Sequence, residues 1–281
     1  MQDTSYPLGT QAEELERLRL QHQLWAPTAS AAWARAGLQK GERVLDLGAG
    51  PGFAAMDLAR VVGPSGRVLG LERSETYVET GEGFARNEGL HQLELRQLDL
   101  LKGPWPSERF DLIWCRWVAM FLPRLEPLLQ GFESCLHSGG RLVIHEYVHW
   151  DTFALHPHGD AIRRFVEACQ RSFQQAGGDQ DVNRRLPALL ADRGWRIEAL
   201  QPIPVAGGPG SMAERWLMRF VDVYGQRLQT LGLWSANDRL EAEQDIQRTR
   251  TMDGSFWVGP TLLEVRARRV ETAAPGPEAP D

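Results

Sequence analysis

From about residue 40 onward, short apolar runs alternate with longer stretches in which apolar positions recur every three or four residues. Val44 to Leu47 reads as a buried strand, and 53–62 reads as a helix that turns Phe53, Met56, Leu58, Ala59 and Val62 toward packed faces. The alternation continues as strand 67–71, helix 75–87, strand 93–98, strand 110–115, helix 124–136 and strand 141–147. Gly63-Pro64-Ser65-Gly66 and Ser138-Gly139-Gly140 fall where turns are needed. Strands alternating with helices at this spacing predict an α/β fold, doubly wound, with a mainly parallel sheet covered on both faces.

Two further helices are expected before the first strand, at 11–24 with Leu15, Leu18 and Leu24 on one stripe, and at 28–36, which is Ala-rich. After Tyr147 the rhythm changes. Residues 148–158 are polar and irregular, helices follow near 160–176 and 184–192, and 195–202 and 261–268 read as the last two strands. Between those strands, Met212, Trp216, Leu217, Phe220, Val221, Tyr224 and Leu228 give a broad apolar face to a helical insertion. The expected division is a helical cap over 1–40, an α/β domain over 41–205, a helical insertion or lid over 206–258, and the last strand over 259–270. The acidic Pro/Ala-rich tail, 271–281, is expected to be disordered.

With 281 residues, 42% of them hydrophobic, the chain is long enough for one large α/β domain with an elaboration. A net charge of -6 without a long Lys/Arg cluster argues against nucleic acid as a partner. Arg266, Arg268 and Arg269 are read as flanking an exposed late strand. Cys115, Cys135 and Cys169 lie far apart with no CxxC spacing, so neither a disulfide framework nor a zinc site is expected. The N-terminal segment lacks a basic stretch followed by an apolar one, and no apolar run approaches the ~18 residues of a membrane span. These features predict a cytoplasmic protein with no membrane span.

The stretch VLDLGAGPG carries the candidate chemistry. Gly48, Gly50 and Gly52 form a GxGxG turn between strand and helix, where backbone N–H groups can meet a polar ligand at close range, and Asp46 stands two residues ahead. Glu72 ends the next strand, where a carboxylate can accept bonds from both ribose hydroxyls, and Asp99 ends the third. Acidic groups on successive strand ends beside one glycine turn describe a nucleoside site.

In these segments the chain resembles the class I S-adenosylmethionine-dependent methyltransferases over roughly residues 40 to 200, in VLDLGAGPG, LGLERS, QLDLL, FDLIWCRWVAMFL and LHSGGRLVIHEYV. The N-terminal segment and late insertion look most like the bacterial small-molecule branch of ubiquinone-biosynthesis type. The resemblance implies a seven-stranded sheet with an antiparallel last strand, and S-adenosyl-L-methionine bound across the carboxyl ends of strands one to four. It implies that Gly48, Gly50, the neighbouring backbone through Gly52, and Asp46 meet the methionine portion, that Glu72 binds ribose, and that Asp99 and Leu100 frame adenine. Cys115 and Arg116 would lie near the reacting methyl, Arg116 having a pairing with Asp111 or Glu146 as its structural alternative. Tyr6, Gln21 and Gln23 would reach the cofactor if the N-terminal helix folds over it, and are solvated surface otherwise.

Methyl transfer from a sulfonium needs an aligned nucleophile, and a base where the acceptor carries a proton. His145 and His149, at and just beyond the end of the fifth strand, are the expected bases, within a polar group that includes Glu146, Asp151, His156 and His158. Their spacing fits no familiar metal site. The 10 tryptophans, several on predicted strand ends or in the insertion, favour a small apolar or aromatic acceptor. The expected activity is methyl transfer to such a molecule. Action on protein or RNA, or silent cofactor binding, are the alternatives.

Overall fold

A computed structural model describes residues 12–270 of the chain. Tyr6 and the acidic tail lie outside the described residues. In chain order the elements are α1 (Ala12–Arg35), β1 (Arg43–Leu47), α2 (Phe53–Val62), β2 (Arg67–Glu72), α3 (Glu75–Asn87), β3 (Leu93–Gln97), β4 (Phe110–Arg116), α4 (Glu126–Cys135) and β5 (Leu136–His149). There follow β6 (Ala154–His156), α5 (Asp160–Gln175), α6 (Leu186–Ala191), β7 (Trp195–Ile203), β8 (Ala206–Gly207), α7 (Met212–Thr230), α8 (Ala236–Arg250), β9 (Phe256–Val258) and β10 (Thr261–Arg269).

Seven strands form one sheet in the order β3-β2-β1-β4-β5-β10-β7. β10 runs antiparallel to both its neighbours, while β3, β2, β1, β4 and β5 are parallel. The expected seven-stranded, doubly wound sheet is therefore present. Its strand order reverses between β1 and β4, and in open α/β sheets the crevice outside the carboxyl ends at such a point is where ligands bind.

Successive side chains of a strand face opposite ways, so each buried strand feeds two cores. Val44, Val68, Leu112 and Val143 pack with Ala29, Ala32 and Trp33 of α1 and Ala55, Leu58 and Val62 of α2. Leu45, Leu69, Ile113 and Ile144 pack on the other face, in a core that continues through α4 and α5 to α7. That second core joins the insertion to the sheet.

The structure departs from the sequence reading in three places. The N-terminal region is one continuous helix with Pro27 inside it, where two were expected. Trp25 and Trp33, 2% and 1% exposed, are buried on either side of the proline, and this burial holds both halves in line against the loss of one backbone hydrogen bond. β5 extends to His149, past the predicted end at Tyr147, because β10 pairs with it as far as Thr261 opposite His149. A small antiparallel sheet, β6-β9-β8, joins the segment after β5 to the two ends of the insertion, its strands too short to show any periodicity. Among the described residues no helix is long and apolar enough to cross a membrane.

Candidate active site

At the carboxyl ends of β1, β2 and β4 the chain forms two adjoining cavities of unequal size, both open to solvent, which share Gly48, Trp117, Phe121 and Phe173 as walls. The larger is lined by Glu72, Asp99 and Leu100, roofed by Tyr224, Arg227 and Leu231 from the insertion. The smaller is lined by Asp46, Gly48, Gly50 and Arg116, by Arg17, Leu18, Gln21 and His22 of α1, and by an aromatic wall including Trp117, Tyr147, Trp150, Phe153, Trp216 and Phe220.

The glycine turn sits where the two meet. Gly48 has φ +65°, and a Cβ there would lie 2.3 Å from Val118 Cγ2, so the loop after β4 closes directly on its backbone. Gly50, at φ +55°, faces open space, and its N–H donates to Glu72 Oε2 at 3.0 Å. Gly52 lines neither cavity. It is buried with its Cα toward Leu95 and Gly81, and serves the packing of α2 on α3 and β3.

Glu72 is 5% exposed, and its second oxygen accepts from Ser74 N–H at 2.8 Å. Burial raises its pKa against the opposing pull of the Ser74 and Gly50 N–H groups. Asp99 accepts from Leu101 N–H at 3.0 Å and pairs with Lys102 at 3.2 Å. Partial burial raises its pKa, the Leu101 bond and Lys102 outweigh that, and the net shift is downward.

Asp46 and Arg116 behave differently. Asp46 is 2% exposed, and its Oδ2 has no hydrogen-bond partner among the described residues. Burial lifts its carboxyl to about 7, with Arg116 pulling down and Glu72 pushing up. The Arg116 guanidinium lies over the Trp117 ring at 4.9 Å and the Trp114 ring at 5.6 Å, with Nη1 buried and unpartnered among the described residues. Burial lowers it to about 10. A buried carboxyl and a partly buried guanidinium, each with a buried, unmet polar atom, line one cavity beside open backbone. They complement a ligand that carries both an ammonium and a carboxylate, as the methionine head of S-adenosylmethionine does. With Glu72 and Asp99 in the adjoining cavity, the residues present fit that cofactor.

Besides Gly52, three expected site residues fall elsewhere. Cys115 is fully buried in the core below the cavities and lines neither, because its side chain points to the opposite face from Arg116. Its thiol pKa is raised by burial. His145 is also fully buried: its Nε2 is 3.2 Å from Glu264 Oε2 on β10, and Trp114, itself a cavity wall, packs edge-on against its ring at 4.7 Å. Glu264 also binds Arg35 at 2.5 Å, so His145 ties β5 to β10 and α1. Burial holds its pKa below the usual range. His149 is 55% exposed and faces Arg184 at 3.1 Å and Asp151 at 3.5 Å. Neither histidine reaches the cavities, and the expectation that they flank the acceptor is corrected accordingly. The other carboxylate of that group, Glu146, holds the loop after β4 by accepting from Val118 and Ala119 N–H at 2.6 and 2.8 Å.

What β5 does bring to the aromatic cavity is Tyr147, its hydroxyl pKa raised by burial. α1 brings more. Gln21 accepts from Arg17 at 2.8 Å and from Trp216 Nε1 at 3.2 Å, joining α1 to α7, while Gln23 is exposed. Arg17 is 3% exposed, doubly bonded to Glu14, and stands 5.9 Å from the Phe220 ring centre. The signal for this edge was in the sequence: Glu14, Arg17, Gln21 and His22 occupy the same stripe as Leu18 and Trp25, where an ordinary amphipathic helix would be apolar.

Known proteins place this cleft in context. A demethylmenaquinone methyltransferase of Lactococcus lactis is 31% identical over 129 residues, 46% of this chain and 50% of that protein. An aklanonic acid methyltransferase of Streptomyces sp. is 32% identical over 103 residues, 37% of this chain and 47% of that protein. The chain thus spans about half the length of these curated relatives. In fold it is similar to the geranyl diphosphate C-methyltransferase of Streptomyces coelicolor A3(2), solved with S-adenosyl-L-homocysteine, with a TM-score of 0.55 at 17% identity over 89% of this chain and 77% of that one. Residues 38–187, which run from the end of α1 past the glycine turn and both cavities' strand ends to the start of α6, match the family described as methyltransferase domain, and the chain belongs to that family.

Proposed function

We propose that the chain is an S-adenosylmethionine-dependent methyltransferase acting on a small apolar or aromatic acceptor. The observation that carries this reading is the meeting, in one cavity, of the glycine turn, the Asp46 carboxyl and the Arg116 guanidinium, and an aromatic wall shared by β4, β5 and α7. When bound, the cofactor supplies an electrophilic methyl on a cationic sulfur whose leaving group departs neutral, so no residue has to protonate it. Glu72 and Asp99 receive the nucleoside, and Asp46 and Arg116 the amino-acid head.

The work left to the chain is alignment and the exclusion of water, and positioning of this kind supplies up to roughly 7–11 kcal/mol in favourable cases. Trp117, Phe121 and Phe173 stand at the junction of the two cavities and give it an apolar lining. Trp150, Phe153, Trp216 and Phe220 offer flat apolar faces to an acceptor. Tyr147, whose raised pKa keeps its hydroxyl protonated, donates a hydrogen bond that orients an acceptor oxygen. The names of the relatives, a demethylmenaquinone and an aklanonic acid methyltransferase, agree with an acceptor of this class.

The test is incubation of the pure protein with methyl-labelled S-adenosylmethionine and fractionated extract of its own source. Label in a small, organic-soluble metabolite is the expected result. Label in protein or RNA, or S-adenosylhomocysteine binding with no labelled product, contradicts the proposal.

A further inference from the structure

α1 sets a histidine against the glycine turn. The His22 ring stacks on Phe53, the first residue of α2, with centroids 5.7 Å apart and planes at 28°. Its Nε2 lies 3.0 Å from Asp57 Oδ2, one turn further along α2. Its Nδ1 is buried and has no hydrogen-bond partner among the described residues. The residue lines the same cavity as Gly50, Pro51, Asp46 and Arg116. Stacking and the Asp57 bond together fix the ring, leaving Nδ1 as its one uncommitted polar atom.

We propose that His22 is a ligand to the carboxylate of the cofactor's methionine head, its ring held between that carboxylate and Asp57. The proposal rests on the reading that this cleft takes S-adenosylmethionine. Burial works to raise the Asp57 pKa, the bonds and charges of His22 and Arg60 outweigh it, and Asp57 stays ionised. An ionised carboxylate only accepts, so Nε2 carries a proton. A second carboxylate on the far side of the ring then requires a proton on Nδ1 as well. A free carboxylate has lone pairs for more than one donor, and Arg116, with its guanidinium confined over two indole rings, offers it one edge. His22 supplies the second donor, and Asp46 is left for the ammonium. The charged groups around the ring are Asp57, which it contacts, Arg60, which pairs with Asp57, Arg19, which lies over Phe53, and Asp46 and Arg116, which line the same cavity.

The experiment is calorimetric titration of S-adenosylhomocysteine and of 5′-methylthioadenosine, which has the same nucleoside and sulfur but no amino-acid head, into the full chain and into His22→Ala and His22→Asn. His22→Ala is expected to weaken S-adenosylhomocysteine by roughly tenfold to a hundredfold, as loss of a charged hydrogen bond does, with methylthioadenosine changed by less than about twofold. His22→Asn, whose amide nitrogen lies near the place of Nδ1, recovers part of the loss and keeps the proposal testable if the alanine variant lacks the parental unfolding transition. Unchanged S-adenosylhomocysteine affinity in both folded variants, or equal weakening toward both ligands, overturns the proposal. A parent chain that binds neither ligand overturns the cofactor reading and the proposal with it.

Discussion

The two cavities of the cleft differ in how the chain itself satisfies their polar groups. In the larger, Glu72 and Asp99 already accept backbone N–H bonds, from Gly50 and Ser74 and from Leu101. In the smaller, Asp46 Oδ2, Arg116 Nη1 and His22 Nδ1 are buried with no partner among the described residues. The first is a site organised by its own backbone, in which Glu72 also holds the glycine turn through Gly50. The second carries a desolvation cost that a ligand bearing both charges relieves. Such a pocket is poor for stability and good for discrimination, because a ligand lacking either charge leaves a buried group unmet.

The largest expected effect comes from the shared wall. Gly48→Ala combines a positive φ with a Cβ 2.3 Å from Val118, so it should cost about 2–5 kcal/mol of stability and abolish binding of both S-adenosylhomocysteine and methylthioadenosine. Thermal unfolding with calorimetry of each ligand checks this.

Asp46→Asn separates the cavities. With its carboxyl lifted from 3.8 to about 7 by burial, the folded chain holds this proton more tightly than the unfolded chain does. Its contribution to stability is therefore full below about pH 4, is lost as pH climbs from there to about 7, and is flat above. The variant should match the parent near pH 4 and exceed it at pH 8 by on the order of 2–4 kcal/mol in denaturant unfolding, while binding S-adenosylhomocysteine at least about tenfold more weakly.

Glu72→Gln acts in the larger cavity. One oxygen becomes a donor facing a backbone N–H, so affinity for both ligands should fall together by about 1–3 kcal/mol, read by calorimetry. The smallest effect is expected at the α1–α7 contact. Trp216→Phe keeps an aromatic face and removes the bond to Gln21, so it should cost about 0.5–1.5 kcal/mol of stability and leave cofactor affinity unchanged, while the KM of the acceptor rises.

The larger cavity was far more legible in the sequence than the smaller. Strand ends follow from apolar runs, and a carboxylate at a strand end needs only the sheet order to be placed, so Glu72, Asp99 and the glycine turn could be assigned before any coordinates. In the smaller cavity Asp46, Gly48, Gly50 and Arg116 were assigned from the sequence too, but its other walls come from α1 and α7 folding back over the sheet, and no local pattern states which residues such a fold brings together. His145 shows the difficulty. It was read as standing at the end of β5, but the strand runs on to His149, and the ring is taken up within the fold by Trp114 and by Glu264, 119 residues away on β10. Tyr147, two residues on, lines the cavity instead.

The central claim is that one cavity reads the nucleoside and the other the charged amino-acid head. Its most direct test is a ligand-truncation cycle: S-adenosylhomocysteine and methylthioadenosine titrated into the parent, Glu72→Gln and Asp46→Asn proteins. The account predicts that the parent binds S-adenosylhomocysteine at least about tenfold more tightly, that Glu72→Gln preserves this ratio while weakening both ligands, and that Asp46→Asn collapses it. A ratio unaltered by Asp46→Asn, or changed as much by Glu72→Gln, would contradict the division of the cleft.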